Sequence, residues 1–207
     1  MMKQIRKSNT NKKIAGVCGG IGEYFGIDPT LVRLGFVALS CLAGGGLAVY
    51  IIAAIIMLFF RKTRPAGVCM LAAMALGYLI GDIGIKHLVA RPRPFLVNTD
   101  VDLYINAPTS HSFPSGHSTA AFAAVTSLFG MLKEKRWIAY SALGLAILIV
   151  FSRLYNYVHY PSDVLCGILL GVICGLVMAL IFKKTKLDKR LSGDLKYKSE
   201  EREKKGN

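Results

Sequence analysis

The chain has 207 residues, 53% of them hydrophobic, and a formal net charge of +14. Such apolarity in a chain this short excludes an ordinary soluble domain and leaves a membrane protein. The basic excess does not argue for nucleic acid. Ten Lys and Arg fall between Lys183 and Lys205, interleaved with acids and following an apolar span, as expected for a tail near anionic lipid.

Residues 1–13 are polar and basic. The first thirty residues hold no apolar core of the right length for a signal peptide. In residues 14–26, Ile14, Val17, Cys18, Ile21, Tyr24 and Phe25 recur at helical spacing, which predicts a short amphipathic helix on the membrane face. Asp28-Pro29-Thr30 reads as a helix start, with Asp28 as the cap and Pro29 in the first turn. From Leu31 to Phe60 the single charge is Arg33, and Gly44-Gly45-Gly46 divides the run. The expected structure is a hairpin of two short helices, 29–43 and 47–60. A helix of about 14 residues is about 21 Å long, below the roughly 30 Å hydrocarbon core. Such helices recruit flanking residues or thin the bilayer locally.

Four further apolar segments follow, at 66–88, 116–132, 137–156 and 163–182. The connections alternate in character. Arg61-Lys62-Thr63-Arg64 and Lys133-Glu134-Lys135-Arg136 are short and basic, residues 89–115 form a long proline-rich loop, and 157–162 is short and aromatic. Sorted by side, 22 Lys and Arg lie on one face, and four, Lys86, Arg91, Arg93 and Arg153, on the other. The positive-inside rule makes the first face cytoplasmic, with both termini there. The five cysteines, Cys18, Cys41, Cys69, Cys166 and Cys174, show neither disulfide nor zinc spacing, so neither a disulfide nor a metal site is expected.

Three motifs fall at helix ends on the outer face. The first runs from Lys86 to Arg93-Pro94, the second is Pro114-Ser115-Gly116-His117, and the third is Ser152-Arg153, His159 and Asp163. Ionisable groups are costly at membrane depth, so this set points to function. Lys86, Arg93 and Arg153 suit the neutralisation of phosphoryl oxygens, Arg as a planar fork and Lys as a point charge. Ser115 and Gly116 stand where the helix over 116–132 begins. Backbone N–H groups there bind anions, and glycine permits close approach. Asp82 lies one turn before Lys86 and can orient it. Arg91 lies outside the motif and reads as an interfacial cation, and His87 and His111 read as structural.

Together these motifs resemble the tripartite signature of the type 2 phosphatidic acid phosphatase superfamily. That family includes lipid phosphate phosphatases and bacterial undecaprenyl-diphosphate phosphatases. Residues 3–60 resemble a second family, the phage-shock-protein C (PspC) domain, through Ile14-Ala15-Gly16-Val17-Cys18-Gly19-Gly20 and the stretch from Glu23 to Arg33. That domain is linked to envelope-stress signalling and membrane association.

The resemblances imply an all-α integral membrane protein of about six transmembrane helices, a two-helix PspC-type hairpin plus a four-helix catalytic core. The division is a PspC-like region at 1–62, a catalytic membrane domain at 66–182 and a basic cytoplasmic tail at 183–207. Phosphatases of this family often have six membrane helices, so the hairpin is expected to stand in for the usual first two. By resemblance His159 is the nucleophile, His117 the general acid and later the base, and Asp163 holds the His159 tautomer. Lys86, Arg93, Ser115, Gly116 and Arg153 bind phosphate. The implied substrate is a lipid phosphate or diphosphate, best undecaprenyl diphosphate, in a bacterial plasma membrane with the site facing outside. No cofactor, metal or nucleic acid is expected, membrane lipids are partners, and the sequence admits a homo-oligomer. The alternatives are a phosphotransferase on the same scaffold and an envelope-stress adaptor with a vestigial phosphatase fold.

Overall fold

A computed structural model describes residues 46–98 and 105–193, with isolated positions at 26, 28 and 103. The helices expected over 14–26 and 29–43 lie outside the described residues. Among the described residues every regular element is helical: α1 (Gly46–Phe59), α2 (Arg64–Tyr78), a π-helical stretch (Leu79–Ile85), α3 (Lys86–Val89), α4 (Pro94–Val97), α5 (Gly116–Met131), α6 (Arg136–Tyr155), α7 (Pro161–Lys184) and α8 (Leu187–Ser192). The protein is an all-α integral membrane protein. The stretch Arg64–Val97 and helices α6 and α7 are long and apolar enough to cross a bilayer. Their outer faces carry large exposed apolar side chains such as Leu148, Phe151, Leu165, Leu169 and Leu180, which suit contact with lipid.

Between helices in lipid there is little hydrophobic driving force, so close backbone approach decides the packing. Helix α7 presents Gly167, Gly171 and Gly175 at four-residue spacing, all facing α5. A Cβ on Gly167 would lie 2.6 Å from the Ser115 carbonyl oxygen, and one on Gly175 would lie 2.6 Å from Thr126 Cβ and 2.8 Å from the Ala123 carbonyl oxygen. A Cβ on Gly171 would meet the Thr119 carbonyl. Any side chain would therefore push α7 off α5. Since α5 starts with the second motif and α7 carries Asp163 of the third near its start, this seam brings the two motifs together.

Helix α1 packs within the same bundle. A Cβ on Gly67 of α2 would lie 2.6 Å from the Ala54 carbonyl oxygen of α1. Tyr50, 2% exposed, donates its hydroxyl to the Ala142 carbonyl of α6 at 2.7 Å. Tyr50, Ala54 and Met57 share one buried cluster with Met70, Ala73, Leu128 and Ile149. The turn to α2 is tied locally, with Thr63 Oγ1 donating to the Met57 carbonyl at 3.1 Å and Arg64 Nε to the Leu58 carbonyl at 2.9 Å. These side chains satisfy carbonyls that a helix end leaves unpaired.

The segment read as a plain tail begins with structure. Helix α7 continues to Lys184, and α8 follows after Lys186, which adopts a left-handed conformation (φ 56°). Leu187 and Leu191, one turn apart, pack against the cluster of Cys69, Ala179 and Phe182. That apolar pair is the reason this part of the tail docks.

Candidate active site

The first motif hangs from the end of the helical stretch that begins with α2. The π-helical segment widens that helix over Leu79–Ile85, and such insertions often mark functional positions. It contains Asp82, which forms an ion pair with buried Lys86. The helix then ends at Ala90 in a left-handed conformation (φ 47°). The chain leaves extended through Arg91-Pro92-Arg93, where Pro92 lacks an N–H donor, and Pro94 then opens α4. Arg93 is buried and tied down. Its Nε donates to the Ser110 carbonyl at 2.7 Å and its Nη1 to the Val158 carbonyl at 2.9 Å, while Nη2 reaches Ser110 Oγ at 3.0 Å. Nη1 also stands 3.4 Å from His159 Nε2.

The second motif caps α5. Ser115 is fully buried, and its N–H donates to the Asp163 carbonyl at 3.0 Å, one backbone bond joining the second and third motifs. The expected start of this helix at residue 116 is the observed one. Gly116 is needed here: a Cβ would lie 2.7 and 2.9 Å from the two Asp82 carboxylate oxygens. The absence of a side chain thus lets the Asp82–Lys86 pair come up against the start of α5.

The third motif straddles the turn between α6 and α7. Arg153 is buried in the last turn of α6. Its Nε contacts Ser152 Oγ at 3.2 Å, while Nη2 is buried with no hydrogen-bond partner among the described residues. Tyr157, left-handed at φ 56°, reverses the chain so that His159 points back over the bundle. Burial pushes the His159 imidazole below its usual pKa, and the Arg93 guanidinium adds to that, while the Asp163 carboxylate opposes both.

Asp163 lies completely buried in the first turn of α7. Its Oδ2 is 3.7 Å from His159 Nδ1, beyond hydrogen-bond range. The expected direct clasp of His159 by Asp163 is therefore looser than a hydrogen bond. Ser112 fills the gap, donating its hydroxyl to Asp163 Oδ2 and standing 3.5 Å from His159 Nδ1. The Tyr160 N–H adds a second donor to Oδ2 at 2.9 Å. Arg91 takes the other oxygen, with Nη1 2.7 Å from Oδ1 and 2.8 Å from Ser162 Oγ, and it stacks 3.8 Å over the Tyr160 ring. The sequence reading of Arg91 as an interfacial cation is corrected, because it is an ion-pair partner of a site carboxylate. His87 and His111 meet edge to face at 6.3 Å between ring centroids.

All of this surrounds one cavity of about 510 Å³. Lys86, Arg93, Gly116, His117, Arg153 and His159 line its polar end. Of the eight residues expected to form the site, six line the cavity directly. Ser115 and Asp163 stand behind it, holding the loop and the helix start. Ser112 and Arg91 are the additions. Among the described residues no group of three His, Cys, Asp or Glu side chains is placed to hold a metal. The cavity presents cations and imidazoles, a donor set that matches an anion.

The sequence profile of the PAP2 superfamily matches residues 66–187, and that of the PspC domain matches residues 3–58. The chain belongs to the PAP2 superfamily. An undecaprenyl-diphosphatase of Sulfolobus acidocaldarius is 31% identical over 116 residues, 56% of this chain and 55% of that protein. The crystal structure of Aquifex aeolicus LpxE aligns with a TM-score of 0.57 and 32% identity, covering 72% of this chain and 85% of that one. A transmembrane PAP2-type phosphatidylglycerolphosphate phosphatase from Bacillus subtilis aligns with a TM-score of 0.54 and 26% identity, covering 74% and 87%. The chain spans about half the length of the curated relatives it matches.

Proposed function

We propose that this protein is a metal-independent membrane phosphatase that removes a phosphate from a lipid monophosphate or diphosphate, with undecaprenyl diphosphate as the preferred substrate. The observation that carries the reading is the cavity itself. Three cations and two imidazoles meet at one end of it, and apolar side chains line the other. That arrangement fits an amphiphile with a phosphate head, and the names of several relatives refer to such substrates.

Catalysis of phosphoryl transfer is mostly positioning and charge stabilisation. Lys86, Arg93 and Arg153 hold the non-bridging oxygens, with the free Nη2 of Arg153 as a ready donor. The N–H groups at the start of α5 add to this. His159 Nδ1 faces Ser112 and Asp163, which leaves Nε2 as the attacking atom. The Nε2–P bond forms as the bond from phosphorus to the leaving oxygen breaks, and His117 gives that oxygen its proton. His117 then takes a proton from water, the hydroxide attacks phosphorus, the P–N bond breaks, and inorganic phosphate leaves. The cations do here what magnesium does elsewhere. The site faces outward and both termini lie in the cytoplasm, as the distribution of Lys and Arg favours.

Purified protein in lipid nanodiscs, given a panel of lipid phosphates with EDTA present, should release inorganic phosphate. His159→Ala should reduce turnover to below a few per cent while the protein stays folded and inserted. Rapid quenching should trap an acid-labile phosphoprotein in the wild type only. Release that depends on added magnesium, or a His159→Ala variant near wild-type rate, refutes the mechanism.

A further inference from the structure

The apolar end of the cavity is built partly from outside the phosphatase region. Leu71, Met74 and Ala75 of α2 and Ala120 of α5 line it, but so do Leu47 and Ile51 of α1. Leu47 and Ile51 are four residues apart and share one helix face. They fall in the segment matched by the PspC domain, residues 3–58, not in the PAP2 match, residues 66–187.

The register of α1 on α2 sets their depth. The two helices are joined by a tight turn and run antiparallel, with the Ala54 carbonyl against Gly67. Ile51 and Leu47, three and seven residues up α1, therefore stand near Leu71 and Met74 on α2. Met74 is twelve residues before Lys86, at most about 18 Å at roughly 1.5 Å per residue, since the π-helical stretch between them rises less than an α-helix. The bond from Tyr50 to the Ala142 carbonyl fixes this depth against α6. The phosphate end and the Leu47–Ile51 wall are thus the two ends of one channel that reaches about halfway into the roughly 30 Å hydrocarbon thickness.

We infer that α1 is the far wall of the channel that takes the substrate's hydrocarbon tail, so that Leu47 and Ile51 set which tail lengths are turned over well. The inference rests on the lipid phosphatase reading. A phosphate fixed among Lys86, Arg93 and Arg153 sends its tail down this channel. Contacts made far from the reacting phosphorus add to kcat/KM through remote binding energy. A short tail ends before it reaches α1, and a long one must pass Leu47 and Ile51.

The test compares undecaprenyl diphosphate with geranyl diphosphate, whose tail is too short to reach Leu47. In Leu47→Trp and Ile51→Trp the ratio of the two kcat/KM values should fall at least about tenfold. Ile52→Trp, whose side chain is 55% exposed on the outer surface of the bundle, should leave that ratio alone. A second measurement needs no variant: a prenyl diphosphate whose extended tail is about as long as the channel, carrying a photoreactive group at its end, should label residues 46–52 of the wild-type protein. A ratio that moves less than twofold in both tryptophan variants, or label confined to other helices, overturns the inference while phosphate release continues. Failure of the wild type to release phosphate from any lipid overturns the phosphatase reading and the inference with it.

Discussion

Gly116→Ala should damage catalysis far more than stability. The added Cβ would lie 2.7 and 2.9 Å from the Asp82 oxygens, where ordinary contacts need about 0.5–0.7 Å more. The Asp82 side chain is short and can move that far at little cost to folding. It is paired to Lys86, however, so Lys86 moves with it. A displacement of about 1 Å at a phosphate ligand costs up to about a hundred-fold in rate, or about 2.7 kcal/mol of barrier. We expect kcat/KM for undecaprenyl diphosphate to fall about thirty- to a hundred-fold, with thermal unfolding nearly unchanged. Asp82→Ala alone should cost about tenfold by leaving Lys86 unguided. In the double variant the obstacle is gone, so the two losses should not multiply. Gly116→Ala with more than half of wild-type activity, or fully multiplicative losses, would refute the chain of contact from Gly116 through Asp82 to Lys86.

Ser112→Ala removes the hydroxyl between Asp163 and His159, and kcat should fall about ten- to a hundred-fold through misorientation of the imidazole; a change under twofold would place Ser112 outside the mechanism. The lowered His159 pKa keeps the proposed nucleophile neutral below the ordinary histidine value, so the acid limb of kcat/KM should lie below about pH 6.5. By the same linkage the unfolded chain binds that proton more readily, so His159 costs stability as pH falls below about 6.5 and costs none above it; His159→Ala should lessen the loss of Tm in that window. Gly175→Val, far from the site, should destabilise the bundle by about 1–3 kcal/mol through overpacking against Ala123 and Thr126, read as a lowered Tm in detergent. In a cysteine-free background, an impermeant thiol reagent applied to intact cells should label a cysteine at Asn106 and spare one at Glu134; the reverse pattern would invert the proposed topology.

Much of this was legible because the chemistry is written in local patterns. The helix from 116, the spans expected at 137–156 and 163–182 and observed at 136–155 and 161–184, and the three motifs all follow from spacing and punctuation within a few residues. The elements that were not legible depend on distance in sequence. Ser112 is two residues before the second motif, yet its contacts are 47 and 51 residues away, and no periodicity announces them. Arg91 did leave a signal. Residues two apart on an extended chain point the same way, and Arg91-Pro92-Arg93 is extended, so the partner of a motif arginine sits two positions before it. The π-helical stretch is also invisible to a 3.6-residue pattern. Small residues at Gly81 and Gly84 permit it, but the docking of Gly81 near Leu170 and Pro114 is a tertiary fact.

The charges of the site explain why Arg91 matters without touching the cavity. Four cations, Lys86, Arg91, Arg93 and Arg153, stand with two carboxylates, Asp82 and Asp163. Each carboxylate has its own cation: Asp82 holds Lys86, and Asp163 holds Arg91. The contacts of Arg93 and Arg153 are to carbonyls, hydroxyls and an imidazole, all uncharged. In the proposed phosphate-binding role, two positive charges are therefore left unbalanced at the polar end, to set against the roughly −1.5 to −2 that a monoester head carries near neutral pH. Without Arg91 the buried Asp163 carboxylate would draw on Arg93, which stands 3.4 Å from His159 Nε2, and the balance would fall toward one. Arg91 sets the charge that the cavity offers by satisfying Asp163 from behind, while Ser112 and the Tyr160 N–H leave that same carboxylate facing His159.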